Sequence, residues 1–312
     1  MQEKPFAVVF PGQGSQSLGM LADLATEFPI VEATFKEASE AIDVDLWTVS
    51  QQGPAEDLNL TENTQPALLA AGMAVWRVWQ SLHADKQPQL LAGHSLGEYT
   101  ALVAANVLSF ADAARLVKLR GQLMQEAVPI GEGAMAAIIG MDDQAVRDLC
   151  EAQSQGEVLS AANYNAKGQV VIAGATAAVE RAVAAAKPAG AKLAKQIPVS
   201  VPSHCALMQS AAVKMADALR DVPFNMPSIP VIQNVDAKAS DDTDTIKQNL
   251  VAQLTGSVQW VATIEAISTA GIETLFEFGP GKVLVGLNKR IVKTMQALPV
   301  FLPEHVALSS SA

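Results

Sequence analysis

The chain has 312 residues, 50% of them hydrophobic and 17% charged, and its formal net charge is −11. This length suits one large domain with a smaller insertion, and the composition is that of a globular protein. The acidic balance argues against a nucleic acid bound over a broad surface. The apolar runs are too short to span a membrane, and no signal peptide is apparent before the first strand. We therefore expect a cytoplasmic protein without a membrane partner.

The sequence contains two cysteines, Cys150 and Cys205. They do not have the C-x-x-C spacing of a metal or redox site, and they are too few for a disulfide framework. We expect both thiols to be reduced and buried, and we expect no metal site.

The first part of the chain alternates strand and helix. The apolar run at residues 6–10 predicts a buried strand, a glycine-rich loop follows, and residues 65–80 have helical periodicity with Pro66 in the first turn. A second strand is predicted at residues 90–93. This order indicates a mostly parallel sheet covered by helices, with functional groups at the carboxyl ends of its strands.

The segment from residue 128 to residue 199 has a different pattern. Strands are predicted at 134–139, 158–163, 169–173 and 192–199, and helices at 142–150, capped by Asp142, and at 176–187, capped by Thr176. The order βαββαβ is the ferredoxin-like arrangement. We expect an α/β fold with a hydrolase-like large subdomain, residues 1–127 and 200–312, and an inserted ferredoxin-like small subdomain, residues 128–199.

Beyond the insertion, the α/β pattern returns. A helix is predicted at residues 205–220, strands at 231–232 and 274–278, and a last helix after the turn Gly279-Pro280-Gly281. The tail from Pro303 to Ala312 is expected to be frayed.

Ser95 lies in the pentapeptide Gly93-His94-Ser95-Leu96-Gly97, between a predicted strand and a helix-like segment. A serine between two glycines at such a turn is typical of a nucleophile elbow, whose strained backbone requires small neighbours. Its hydroxyl then projects beside amides at a helix N-terminus, which can hold an oxyanion. The alternative is a tight turn in which the serine only caps the helix.

A serine nucleophile needs a base within hydrogen-bond reach. His83 lies in a polar linker, His305 lies in the tail, and His94 is expected to point away from its neighbour Ser95. His204 remains, in a loop after a strand end, and it follows the serine in the chain order of α/β-hydrolase sites. The alternative is a partly buried histidine that binds a carbonyl.

Arg120 is an arginine on an apolar helix face. Helical geometry over residues 111–127 places it in a stripe of leucines. A buried guanidinium must find an anion, and its planar fork suits a carboxylate. An internal salt bridge, for instance with Glu98, is one possibility. An anchor for an acidic substrate is the other.

Seven motifs occur in a characteristic order: Phe10-Pro11-Gly12-Gln13-Gly14-Ser15-Gln16, Gln65-Pro66-Ala67, Gly93-His94-Ser95-Leu96-Gly97-Glu98, Arg120-Gly121, Gly133-Ala134-Met135-Ala136, Pro202-Ser203-His204 and Gly279-Pro280-Gly281. With them the chain, from about Phe6 to Arg290, resembles the malonyl-CoA:acyl-carrier-protein transacylases of bacterial type II fatty acid synthesis, a family of acyltransferases. The resemblance implies transfer of a malonyl group from coenzyme A to the phosphopantetheine thiol of acyl carrier protein.

The resemblance also implies roles for individual residues. Ser95 would be the nucleophile that becomes malonylated, and His204 would be the general base and acid. Arg120 would pair with the free malonyl carboxylate. The backbone amides of Gln13 and Leu96 would form the oxyanion hole.

A further residue and the partners follow from the same resemblance. Gln253 would orient the catalytic histidine through its main-chain carbonyl. No cofactor is implied, since malonyl-CoA is a substrate, and we expect a monomer. The acyl carrier protein is acidic in this pathway and would need a basic patch, for which two clusters are candidates: Lys282, Lys289, Arg290 and Lys293, or Lys192 and Lys195. Either cluster is equally compatible with an ordinary solvated face.

Three classes of function remain open. The first is the transacylase, serving either fatty acid or polyketide synthesis. The second is a serine thioesterase or hydrolase, which shares the elbow and the histidine but has no need of an arginine in an apolar stripe. The third is a carrier-protein-binding module without activity, which the joint presence of Ser95, His204 and Arg120 argues against.

Overall fold

The computed structural model describes residues 4–199 and 201–308. The strands are β1 (Phe6–Phe10), β2 (Leu90–Gly93), β3 (Gly133–Ile139), β4 (Leu159–Ala166), β5 (Gln169–Ala175), β6 (Leu193–Ile197), β7 (Val231–Ile232), β8 (Thr274–Phe278) and β9 (Gln296–Val300). The helices are α1 (Ala22–Glu27), α2 (Ile30–Ile42), α3 (Leu46–Gln52), α4 (Ala55–Asn59), α5 (Thr61–Leu82), α6 (Gly97–Ala104), α7 (Phe110–Ala127), α8 (Asp143–Ser154), α9 (Thr176–Ala186), α10 (Gln209–Arg220), α11 (Thr243–Thr255), α12 (Trp260–Thr269), α13 (Val283–Ile291) and α14 (Pro303–Leu308).

The first sheet has the strand order β7-β2-β1-β8-β9, and all of its pairings are parallel. Successive residues of β1 alternate between two cores: Val8 and Phe10 pack into one, and Ala7 and Val9 into the other. A sheet buried on both faces requires continuous apolar strands, which is why β1 reads as an uninterrupted hydrophobic run. The predicted parallel α/β sheet is confirmed.

The second sheet is antiparallel and has the order β4-β5-β3-β6. Together with α8 and α9 it forms the βαββαβ arrangement that the sequence predicts, and residues 133–197 are called the antiparallel unit below. The two helices cover one face of the sheet. The opposite face carries a smaller apolar cluster, including Met135 and Val171, which contacts Cys205. The predicted subdomain boundaries remain predictions, and Ser200 lies outside the described residues.

Main-chain hydrogen bonds join the antiparallel unit to the rest of the molecule. The amide of Tyr164 donates to the carbonyl of Val258 at 3.0 Å, and the amide of Val258 donates to the carbonyl of Ala162 at 2.9 Å. These bonds extend β4 sideways with one short parallel bridge. The last residues of β4 are thereby held beside the parallel sheet.

Three local predictions are wrong. Helix α5 begins at Thr61, and Pro66 lies inside it rather than in its first turn. Ala175, not Thr176, is the N-cap of α9, because the Thr176 hydroxyl instead donates to the carbonyl of Gly131 at 2.7 Å. Part of the tail expected to be frayed forms α14, and residues 309–312 lie outside the described residues.

Long-range contacts explain the ordered part of the tail. The ring of His83 is buried at the end of α5, and its Nε2 lies 3.1 Å from the carbonyl oxygen of Val306 in α14. His83 thus lies directly after α5, before the polar residues of the predicted linker, but its ring is buried. His305 also lies in α14, where its ring packs against Phe301. Strand β9 was not predicted, because it is only five residues long.

Both cysteines are free and buried, as predicted, with Cys150 in α8 and Cys205 directly after His204. Among the described residues, no helix is both long enough and apolar enough to cross a bilayer.

Candidate active site

Ser95 follows β2 in a sharp turn and has a left-handed φ of 53°. Glycine is required on both sides of this turn, because other backbone atoms approach the two positions closely. A Cβ on Gly93 would lie 1.9 Å from the carbonyl carbon of Gly97, and a Cβ on Gly97 would lie 2.1 Å from the carbonyl oxygen of Phe10. This is the geometry of a nucleophile elbow, in which a strained turn projects the serine hydroxyl from the sheet edge.

His204 is the histidine that reaches Ser95. Its Nε2 lies 2.7 Å from the serine Oγ, and its Nδ1 lies 2.7 Å from the main-chain oxygen of Gln253. Because a carbonyl oxygen only accepts, Nδ1 carries the proton and the lone pair of Nε2 faces the serine hydroxyl. The serine hydroxyl, the imidazole and the carbonyl lie in the order that a nucleophile, its base and an orienting group would need.

The environment keeps His204 neutral. Burial and the nearby positive charge of Arg120 lower the pKa of its imidazole to about 3, against the opposing effect of the Gln253 carbonyl. The ring is therefore a free base at neutral pH, available to take the serine proton.

Gln13 and Leu96 line the same cleft as Ser95. Within the described parts of the chain, the backbone amides of these two residues donate to no acceptor. The loop that carries Gln13 is close to the elbow, since a Cβ on Gly12 would lie 2.4 Å from the carbonyl oxygen of His94. Both amides are therefore available at the mouth of the elbow to receive an oxyanion.

Arg120 is 2% exposed, on the inward face of α7, as the helical pattern predicts. Its Nη1 donates to the side-chain oxygen of Gln65 at 2.8 Å, and its Nη2 donates to that of Gln253 at 2.9 Å. Nη2 also lies 3.4 Å from the Oγ of Ser95. In the described part of the structure, no carboxylate forms an ion pair with this guanidinium.

Close helix packing brings Arg120 to this position. A Cβ on Gly121 would lie 2.7 Å from the Cα of Glu62 and from the carbonyl oxygen of Thr61, so α7 contacts the start of α5 almost backbone to backbone. The guanidinium also lies 5.7 Å from the ring centre of Tyr99. Such a cation–π contact favours the charged guanidinium in a buried place.

The Gln253 side chain connects Arg120 to Glu98. Its Nε2 donates to the Oε2 of Glu98 at 2.7 Å and to the carbonyl oxygen of Ser95 at 3.0 Å, while its oxygen accepts from Arg120. The salt bridge between Arg120 and Glu98 that the sequence left open is therefore replaced by a bridging amide. The sequence analysis gave Gln253 only its main-chain carbonyl, so this second role was missed.

Asn234 is another residue that the sequence analysis missed. Its side-chain oxygen accepts from the amide of Ser95 at 2.6 Å, and its Nδ2 donates to the carbonyl of Gly93 at 2.6 Å. The side chain thus clamps both ends of the elbow. A signal was available, because Asn234 follows the predicted strand at 231–232, and polar residues after a parallel strand lie at the functional edge.

Asparagines of the antiparallel unit form the wall of the cleft opposite the elbow. Asn163 and Asn165 line the cleft, whose volume is about 640 Å³. The Oδ1 of Asn165 lies 2.7 Å from the Nε2 of His94, and the ring of His94 also packs against Trp260. His94 is therefore held by other groups, consistent with the expectation that it points away from Ser95.

One residue from each of the two candidate basic clusters lies at the same corner of the surface. Lys192 and Arg290 line a small surface cavity of about 340 Å³, together with Lys167, which is paired with Glu265. Arg290 also donates to the side-chain oxygen of Gln169, which fastens α13 to the antiparallel unit.

Comparison with known proteins agrees with this geometry. A family model described as an acyl transferase domain matches residues 7–301. Fold, site and family model together define an acyltransferase. Malonyl CoA-acyl carrier protein transacylase from Escherichia coli O157:H7 is 58% identical over 302 residues, which cover 97% of each chain.

Solved structures point the same way. An acyl carrier protein S-malonyltransferase from Vibrio cholerae O1 biovar eltor is 56% identical, with a TM-score of 0.96 over 98% of this chain and 100% of that one. A malonyl-transacylase in complex with its type II PKS acyl-carrier protein is 55% identical, with a TM-score of 0.97 over 98% and 99% of the two chains. The chain belongs to the family of malonyl CoA-acyl carrier protein transacylases.

Proposed function

We propose that this protein transfers a malonyl group from malonyl-CoA to the phosphopantetheine thiol of acyl carrier protein through a malonyl ester on Ser95. The observation that carries the proposal is Arg120, a buried guanidinium 3.4 Å from the nucleophile and held by two neutral amides. An acyl group with a free carboxylate supplies the anion that this arrangement lacks.

The first half-reaction acylates the enzyme. His204 takes the proton of the Ser95 hydroxyl as Oγ attacks the thioester carbon, and the amides of Gln13 and Leu96 stabilise the developing oxyanion. The carbon–sulfur bond then breaks, and the protonated histidine returns its proton to the leaving thiolate. Coenzyme A departs, and the malonyl ester remains with its carboxylate on Arg120.

The second half-reaction reverses these roles. The phosphopantetheine thiol gives its proton to His204 and attacks the ester carbon, and the oxyanion again lies against the same two amides. The carbon–oxygen bond breaks, and Ser95 recovers its proton from the histidine. A cleft enclosed by two walls excludes water from the ester during the exchange of thiols.

The acceptor must dock near the cleft. An acidic carrier protein suits the corner with Lys192 and Arg290, beside Lys167, which follows the cleft-lining Asn165 by two residues. Charge complementarity accelerates encounter even when the whole enzyme is acidic. We expect the enzyme to act as a monomer in the cytoplasm, where free thiols such as those of Cys150 and Cys205 persist.

A polyketide acceptor is the second candidate. It is favoured by one observation, the 55% identity to a malonyl-transacylase bound to its type II PKS acyl-carrier protein. The chemistry at Ser95 is the same for either acceptor. Transfer rates to carrier proteins of both pathways, measured in parallel, distinguish the two.

Intact-mass measurement tests the proposal. Incubation with malonyl-CoA alone is expected to add one malonyl unit at Ser95, because the first half-reaction needs no acceptor, and acetyl-CoA is expected to add far less. Addition of phosphopantetheinylated carrier protein should discharge the ester onto its thiol. The Ser95→Ala variant is the control and should acquire no mass. Label on Cys205, or release of free malonate instead of transfer, would contradict the proposal and the latter would indicate a thioesterase.

A further inference from the structure

Glu98 is a buried carboxyl group behind the nucleophile elbow. It is 0% exposed and accepts hydrogen bonds only from N–H groups: Oε2 accepts from the Gln253 side chain at 2.7 Å and from the amide of Asn234 at 3.1 Å, and Oε1 accepts from the Gln233 side chain at 3.3 Å. The steps of acyl transfer do not use this residue. Burial of a carboxylate costs free energy, so its presence here indicates that the hydrogen bonds of Glu98 serve a function.

The contact with Gln253 decides which way an amide points. The oxygen and nitrogen of a glutamine side chain are nearly equal in size, so packing alone does not distinguish them. Here the nitrogen faces two acceptors, Glu98 and the carbonyl oxygen of Ser95, and the oxygen faces the guanidinium of Arg120. With the amide reversed, two N–H groups would oppose the arginine.

The bridging amide also leaves Arg120 available. A carboxylate placed directly against the guanidinium would occupy the two N–H groups that a substrate carboxylate needs. The observed arrangement places the Glu98 carboxyl group, whose pKa burial raises to about 7, one amide away from Arg120. The guanidinium keeps N–H groups beyond those bonded to Gln65 and Gln253. Its Nε has no partner within the described residues.

We propose that Glu98 is a positioning residue for the charged acyl group: it fixes the Gln253 side-chain amide, which in turn holds Arg120 with Nη2 toward Ser95. This inference rests on the proposed function, in which Arg120 binds the acyl carboxylate. Glu98 itself touches no reacting atom. Its effect is on selectivity for malonyl over acetyl groups, which a purely structural residue would not change.

The test compares kcat/KM for malonyl-CoA and acetyl-CoA. Glu98→Ala is expected to lower the malonyl value by about 100-fold, since a misplacement of about 1 Å has that effect, and to lower the acetyl value by less than about 3-fold. Glu98→Gln keeps an oxygen acceptor for the Gln253 amide and is expected to retain more of the malonyl activity. This variant also gives a readout if the alanine variant does not fold.

Glu277 provides the matched control. It is likewise 0% exposed and accepts from two amides, those of Leu284 and Val285 at the start of α13. Within the described residues it forms no hydrogen bond with Ser95, Arg120 or Gln253. Glu277→Gln is expected to change stability without changing the ratio of malonyl to acetyl activity. A ratio that falls equally in Glu277→Gln would show that loss of any buried carboxylate suffices.

A double-mutant cycle tests the route through Gln253. Gln253→Ala removes the amide but keeps the main-chain carbonyl that orients His204. In that background Glu98→Ala should have no further effect on the ratio. If the two effects add fully, or if Glu98→Ala leaves the ratio unchanged while Arg120→Ala lowers it, the inference about Glu98 is overturned and the proposed function stands. If Arg120→Ala also leaves the ratio unchanged, the proposed role of Arg120 fails first.

Discussion

The parallel sheet and the antiparallel unit contribute different things to one cleft. At the carboxyl edge of the parallel sheet, β1, β2 and β7 lead into Gln13, Ser95 and Asn234. Buried polar side chains behind that edge hold Ser95 and the guanidinium of Arg120. The antiparallel unit presents one face of its sheet as a wall, with Asn163 and Asn165 toward the cleft.

The difference follows from how the two sheets are buried. A parallel sheet covered on both faces exposes only its edges, so functional groups collect where strands end and tight turns begin. An antiparallel sheet with helices on one face leaves the other face open. Such a face can shape a cleft and exclude water without supplying a reacting atom. Mutations on the two sides are therefore expected to change different kinetic constants.

The largest effect is expected from the base. His204→Ala should slow acylation of Ser95 by about 10²- to 10⁴-fold while the protein remains folded, because the serine loses its proton acceptor. Single-turnover acylation with malonyl-CoA measures it, with circular dichroism as the check on folding. Near wild-type acylation would remove His204 from the mechanism and make His94 the next residue to test.

The next effect concerns selectivity. Arg120→Ala leaves the malonyl carboxylate unpaired in a buried place, a loss of about 3–5 kcal/mol, or at least about 10²- to 10³-fold in malonyl transfer. Acetyl transfer lacks the charge and should not fall to the same extent. The measurement is kcat/KM for both thioesters. A parallel fall of both values would make Arg120 a structural residue.

A substitution in the antiparallel unit should have a smaller effect, on KM rather than on kcat. Asn165→Ala removes a polar side chain from the cleft wall; if it bonds the thioester, the loss of about 1 kcal/mol should raise KM for both thioesters by roughly 5-fold with little change in kcat. Steady-state kinetics on the folded variant check this. A 100-fold loss of kcat would mean that the antiparallel unit does supply a group to the chemistry. That result would contradict the division of roles between the two sheets.

The smallest expected effect is a shift in pH dependence. The positive charge of Arg120 lowers the pKa of His204, so Arg120→Ala should raise that pKa. A base with a higher pKa becomes protonated at a higher pH. The acid limb of kcat/KM for acetyl-CoA, which reports on the free enzyme, should therefore move to higher pH in the variant. Unchanged profiles would show that the charge of Arg120 does not reach the base.

Some parts of the site could be read from local pattern. The elbow is visible because its glycines and the preceding apolar run are adjacent in sequence, and the inward direction of Arg120 follows from helical periodicity. The βαββαβ unit could be predicted for the same reason, since each strand and helix has its own hydrophobic periodicity and is bounded by turn residues. The helix start at Thr61 was missed because a proline normally marks a first turn, and here the helix continues through Pro66.

Local sequence patterns therefore specify the succession of strands and helices, the strained turn at Ser95 and an arginine on an apolar helix face. Tertiary structure alone decided which groups meet there. Gln253 and Asn234 reach the elbow from far along the chain, and the direction of an amide depends on donors and acceptors contributed by several segments. Periodicity carries information over a few residues, whereas hydrogen bonds between distant segments exist only after the chain has folded.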